Sequence, residues 1–237
     1  MRKVNTMRLS AAVLGVAALI LIAGGVAIGS NMGFKLNMPL VASGTTPSSG
    51  QNMISIPYFN PYSTGCAAGV PNCAGAFCTA TGLPAVSTTI QILNAQTRGY
   101  TTSTCGTAAA NALALTPGQG IRVRGPAVPA SIIIVGSHDP TAVITVPSIL
   151  SSNLLKGLKW FAVPYHTTAV NAQDLCNQMG SPGLPATVQN LDAASGGTTT
   201  ATCGTGAAST LTLVLGKAYR LRTGNSTTDR TFIPAHY

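Results

Sequence analysis

The feature that most constrains this chain is that it carries one unit twice. Asn52-Met53-Ile54-Ser55-Ile56-Pro57-Tyr58 matches Lys159-Trp160-Phe161-Ala162-Val163-Pro164-Tyr165 at an offset of 107 residues. Gly82-Leu83-Pro84-Ala85 matches Gly183-Leu184-Pro185-Ala186 at 101, and Thr104-Cys105-Gly106-Thr107 matches Thr202-Cys203-Gly204-Thr205 at 98. From there the offset holds: Gly118 meets Gly216, Arg122-Val123-Arg124 meets Arg220-Leu221-Arg222, and His138 meets His236. Ordered matches with a drifting offset mark a duplicated unit with loop insertions. Met38-Pro39 and Val146-Pro147 extend the match upstream, so each unit begins with its own strand and the units span residues 31–140 and 141–237. About one hundred residues is enough for one small core per unit.

Within a unit the signals are those of strands. Gly (26), Pro (15) and runs of Ser, Thr and Ala favour turns and extended segments over long helices. Ile121-Arg122-Val123-Arg124 and Tyr219-Arg220-Leu221-Arg222 alternate, apolar on one face and arginine on the other. Each follows a turn (Thr116–Gly120; Gly216-Lys217) and an apolar run, Ala112–Leu115 or Leu211–Leu215, which reads as a hairpin partner. Further strands are expected at Ser131–Val135 and Arg230–Ile233, and at Ile90–Leu93 and Val188–Leu191. Outside the N-terminus one helix stands out, Ala172–Met179, with Asn171 as N-cap and Asp174 in its first turn. The expected fold is mainly all-β: two tandem small β-sandwich or barrel units, an N-terminal apolar helix and at most one short helix per unit.

The first thirty residues read as an export signal. Arg2, Lys3 and Arg8 precede an uncharged stretch from Leu9 to Gly29, a basic region followed by an apolar one. The stretch is also just long enough to span a bilayer, so residues 1–30 are either a cleaved signal peptide or a membrane-spanning leader. In both cases the remainder leaves the cytoplasm for the cell surface or the extracellular space. Any membrane contact is then through this segment.

Six cysteines in an exported chain point to disulfides. Cys105 and Cys203 are equivalent, and Cys78 and Cys176 precede them by the same interval, so Cys78–Cys105 and Cys176–Cys203 are the expected bridges. Cys66 and Cys73 lie in an insertion that the second unit lacks, and are expected to close their own loop. Chain entropy gives about 3–4 kcal/mol for each long bridge and about 2.5 kcal/mol for the short one. The spacing is not that of a zinc site, and no C-x-x-C or C-x-x-C-H is present for thiol redox chemistry or covalent haem.

Charge narrows the chemistry further. Lys and Arg number 13 against 4 acids, all aspartate, so every function that needs a glutamate is excluded. Gly136-Ser137-His138-Asp139-Pro140 brings serine, histidine and aspartate together, but a triad needs groups converging from separate elements. No catalytic residue, cofactor or metal is therefore expected. Arg122, Arg124, Arg220 and Arg222 form two R-x-R stripes able to meet a polyanion or an acidic glycan, or to serve as a solvated face. Among aromatics only Tyr219 lies on these strands, which gives little for base stacking. Phe34, Leu36, Met38 and Leu40 alternate along one face. That segment is either an assembly strand for a neighbouring subunit or the first strand of its own unit.

A strand ending Ser55-Ile56-Pro57-Tyr58 or Ala162-Val163-Pro164-Tyr165, with a later Ile134-Val135-Gly136-Ser137-His138 turn, resembles uncharacterised exported bacterial proteins built from tandem copies of such a unit. Ser30–Asn37 sits in a similar place there, just after the leader. The second unit departs from the pattern, ending Phe232–Tyr237 without Gly-Ser. The resemblance implies a secreted or surface protein and brings no activity with it. The leading expectation is thus a non-enzymatic structural protein of the cell exterior, a homo-oligomer that self-associates into a filament or surface layer. The alternative is a secreted binding module for glycan or polyanion.

Overall fold

The computed structural model describes residues 33–44, 49–93, 99–137, 139, 141–146, 158–165, 167–180, 186–223 and 228–235. The leader at 1–30, His138, His236 and Gly183-Leu184-Pro185 lie outside the described residues. From Gly33 onward the chain packs as one compact unit. No described helix is long and apolar enough to cross a membrane.

The architecture is mainly β, with two similar halves. In the first half β2 (Asn52–Ser55), β3 (Thr89–Leu93), β4 (Tyr100–Thr104) and β5 (Gly120–Arg124) form an antiparallel sheet in the order β2-β5-β3-β4. β1 (Phe34–Pro39) and β6 (Ser131–Gly136) form a separate antiparallel pair. The second half repeats this with β8 (Leu158–Ala162), β9 (Thr187–Leu191), β10 (Thr198–Thr202) and β11 (Ala218–Arg222) in the order β10-β9-β11-β8. There the separate pair is β7 (Ile144–Val146) with β12 (Arg230–Phe232).

Two expectations need correction. The arginine strands do not form hairpins with the apolar runs before them: β5 lies between β2 and β3, and β11 between β8 and β9. Ala114 and Thr212, within those runs, make only isolated bridges, to Cys73 and Asn171. Each half also carries two short helices rather than at most one: α1 (Ala74–Thr81) and α2 (Ala108–Ala112), then α3 (Ala172–Gln178) and α4 (Gly206–Thr210). The five-residue α2 and α4 are too short to show a helical period, and they are held by what they pack on. Thr107 caps α2 by accepting from Ala110 N–H, and Ala110 and Ala208 are fully buried.

The helices explain where the bridges sit. α3 opens with a capping box, the Asn171 side chain accepting from Asp174 N–H while Asp174 accepts from Asn171 N–H. In α1 the equivalent cap is Cys73, whose sulfur accepts from Ala76 N–H at 3.4 Å. The structure joins Cys66 to Cys73, Cys78 to Cys105 and Cys176 to Cys203, with Cα–Cα distances of 5.6, 5.8 and 5.8 Å. The short bridge thus anchors the helix start that an asparagine caps in the other half. The long ones tie each helix to the end of β4 or β10. Three disulfides are the mark of an oxidising environment.

Each half has its own core. Ile54, Ile90, Ile121, Val123, Phe77 and Tyr62 belong to the first, where the rings of Tyr62 and Phe77 meet edge to face at 5.0 Å. Phe161, Val188, Leu221, Tyr219 and Leu175 belong to the second. Phe34–Pro39 pairs along its whole length with β6, and Met38 and Leu40 are buried in the first core, so in this chain the segment completes its own half. Phe34 also stacks on Tyr165 of the other half, centroids 4.7 Å apart.

The halves are joined by reciprocal backbone pairing. Ser55 N–H donates to Gly216 O at 2.8 Å, and its duplicate Ala162 N–H donates to Gly118 O at 3.4 Å. Ile54 bridges Lys217 as Phe161 bridges Gln119. Between these contacts lies a third apolar cluster of Met53, Trp160 and Ala218, with Leu93 and Leu191 against it. Gly120, the duplicate of Ala218, has no room for a side chain: a Cβ there would stand 2.6 Å from the Ala218 Cβ and 3.1 Å from that of Trp160. Replacing Gly120 by Val should therefore destabilise the fold by about 1–3 kcal/mol through overpacking. Urea denaturation of the oxidised protein checks this, and an unchanged midpoint would contradict such close packing.

Candidate functional site: a cleft between the duplicated sheets

Alternation along β5 sends Ile121 and Val123 into the first core and leaves Arg122 and Arg124 on the opposite face with Gly120. β11 does the same with Tyr219 and Leu221 inside and Arg220 and Arg222 outside. Because Gly120 and Ala218 meet where the halves join, the two arginine-bearing faces border a common cleft. Arg122 and Arg220 line it, together with Gln51, Tyr100, Trp160, Gln189 and Thr198, around a cavity of about 220 Å³. No carboxylate is among the described lining residues.

Register explains the first partners of the arginines. Gln91 lies beside Arg122 and Gln189 beside Arg220 in the paired strands. Arg122 Nε donates to Gln91 Oε1 at 2.6 Å, and Arg220 Nε donates to Gln189 Oε1. Each glutamine in turn donates from Nε2 to a threonine hydroxyl on the next strand, Thr102 at 2.9 Å and Thr200 at 2.8 Å. The same Thr–Gln–Arg relay is therefore built twice.

The surroundings of the two guanidinium groups differ. Arg122 also donates from an NH1 nitrogen to Gln51 Oε1 at 2.6 Å. Its guanidinium carbon lies 4.0 Å from the Tyr100 ring centroid and 5.9 Å from that of Trp160, and those rings stack at 5.3 Å. Burial pulls the Arg122 group below its ordinary value, with the Tyr100 contact opposing and Arg124 adding to the effect. Arginine stays cationic through any such shift. By the duplication Thr198 is the counterpart of Tyr100, and Leu158, which pairs with Arg222 and does not line the cleft, is the counterpart of Gln51.

Of the four arginines singled out in the sequence, the structure thus brings two together. Arg124 and Arg222 are not among the cleft-lining residues. The Arg124 Nε is buried with no partner, and Arg222 is exposed. Tyr219 faces the core rather than the arginines, its hydroxyl accepting from Val214 N–H at 2.9 Å. The cleft aromatics come instead from neighbouring strands. Tyr100 sits on the threonine-rich β4, whose sequence lacks the apolar alternation of a half-buried strand, and Trp160 is the single tryptophan of the chain. Gln91 and Gln189 were discoverable, since they fall at the same offset as the arginines they hold.

The remaining candidates have structural places. Ser137 is buried and its N–H donates to Phe59 O at 2.9 Å, while Asp139 accepts from the Thr141 N–H and hydroxyl at 2.8 and 2.7 Å, closing a turn. Among the described residues no three of His, Cys, Asp and Glu gather as metal ligands. Comparison with protein-family models, with curated proteins and with solved structures found no match.

The unequal surroundings make a stability prediction. Arg122→Gln removes two charge-assisted hydrogen bonds and a ring contact and should cost about 2 kcal/mol. Arg220→Gln should cost less than half as much. Thermal unfolding of the two variants checks the order, and equal losses would contradict it.

Proposed function

We propose that the chain is a secreted binding module that takes anionic polymers, acidic glycans foremost, in the cleft between its two halves. The observation that carries this reading is the convergence of Arg122 and Arg220 on one cavity whose described lining holds aromatic rings and amides but no acid. Of the net charge of +9, Arg2, Lys3 and Arg8 of the leader account for three, and the remaining +6 draws polyanions from a distance to the arginines that the two sheets hold ready. The leader and the three disulfides support a place outside the cytoplasm, as the resemblance to exported tandem proteins implies. On a heparin column, Arg122→Gln with Arg220→Gln should bring elution to markedly lower salt, whereas Arg124→Gln with Arg222→Gln should shift it little. Retention that followed all four arginines equally would replace the cleft with a diffuse basic surface.

A second reading, self-association into a filament or surface layer, has one observation in its favour. Ile133 and Val135 are 46% and 44% exposed on the outer face of β6, in a two-stranded sheet with open edges. If that face assembles, native protein should sediment as large species and Ile133→Ser with Val135→Ser should return it to monomer. Monomeric native protein at high concentration would end this reading.

A further inference from the structure

Duplication supplies an internal control for the cleft: two equivalent arginines, one of them much more heavily engaged. Arg122 spends its Nε on Gln91 and an NH1 nitrogen on Gln51, and the Tyr100 ring lies beside it. Arg220 has Gln189 alone as a hydrogen-bond partner among the described residues. Of five N–H donors in a guanidinium, four remain on Arg220, including the parallel pair that grips a planar oxyanion. Thr198, Gly196, Leu191, Trp160 and Tyr100 line the same cleft.

We infer that Arg220 is the ligand-contacting cation and that the cleft takes one hexuronate residue of an acidic polysaccharide, its carboxylate on the Arg220 fork. This rests on the binding-module reading above and names its substrate class. Three features select it. A single uncommitted fork holds one carboxylate in two parallel hydrogen bonds, and its one positive charge balances a carboxylate rather than a phosphate dianion. The rest of the lining mixes amide and hydroxyl groups (Gln51, Gln189, Thr198) with apolar surface (Met53, Leu191, Trp160), which suits a ring with hydroxyl edges and C–H faces. The cavity of about 220 Å³ is also small, the scale of one sugar ring rather than of a folded partner. Arg122 is then a positioning residue: it fixes Gln91, Gln51 and Tyr100 as one wall of the cleft.

The test is calorimetric titration of the oxidised full chain with three probes: trigalacturonate, the neutral trisaccharide of the same linkage, and a sulfated oligosaccharide of equal length. Trigalacturonate should bind and the neutral trisaccharide should not. Arg220→Gln should weaken trigalacturonate binding about tenfold or more, with the circular dichroism spectrum unchanged. Arg220→Lys should not restore it, because a lysine is a point charge without the fork. Thr198→Val, remote from either core, should weaken it several-fold and guards against a folding defect in the arginine variants. Equal binding of the neutral sugar, or full binding by Arg220→Gln, would overturn the carboxylate assignment. Binding of the sulfated probe through Arg220 with none of trigalacturonate would overturn the uronate class while leaving the cleft as an anion site. No binding of any acidic probe would overturn both.

Discussion

Everything distinctive in this molecule depends on the reciprocal pairing between its halves. A backbone N–H on an edge strand of each four-stranded sheet (Ser55 on β2, Ala162 on β8) donates to a turn carbonyl of the other half (Gly216, Gly118). Each of those bonds satisfies groups that would be edge donors and acceptors in an isolated half. The turns that supply the carbonyls must come close, and Gly216, at φ +78, lies so near Leu36 and Met38 that a Cβ would stand 2.5 Å from the Met38 sulfur. Pairing at this distance forces Gly120 against Ala218, and that contact sets the two arginine faces on either side of one cleft. The site exists because the halves interlock, and neither half contains it.

Within that frame the duplicates differ around a shared element. The Thr–Gln–Arg relay is retained in both sheets. The groups outside it differ: Tyr100 against Thr198, Gln51 against Leu158, and Met53 against Trp160. Tyr100 and Gln51 add partners to Arg122, while Trp160, opposite Arg220 in the strand register, also lies 5.9 Å from the Arg122 guanidinium carbon. The duplicated interface is thus asymmetric: among the described residues Arg122 donates to two glutamines and Arg220 to one. Low acid content has a matching role, since a carboxylate in the cleft would neutralise the cation that the rest of the lining leaves uncommitted.

Much of the fold was legible because duplication made the sequence its own comparison. The matched spacing of Cys78–Cys105 and Cys176–Cys203 gave the same pairs that the structure joins, and strict alternation in Arg122–Arg124 placed the arginines on one face. Local pattern failed where local sequence does not decide the outcome. The threonine runs of β4 and β10 carry β-branched residues but no apolar alternation to mark a buried face, and they pair with β3 and β9. The helices α2 and α4 are single turns that depend on tertiary packing. Strand order was the deeper gap: Ala112–Leu115 looked like the partner of β5, but β2, some seventy residues away in the chain, takes that place. With the order hidden, the meeting of Tyr100 and Trp160 with Arg122 was hidden as well.

Trp160 offers the most direct test of the central claim, that the cleft between the halves is where an acidic ligand sits. It is the only tryptophan in the chain, it lines the cavity, and its ring stacks on Tyr100. Intrinsic fluorescence excited at the indole band therefore reports from the site itself. Titration with trigalacturonate should give a saturable change in Trp160 emission, and that change should be lost in the Arg220→Gln protein. Binding seen by another method with the Trp160 emission unmoved would place the ligand elsewhere and contradict the account.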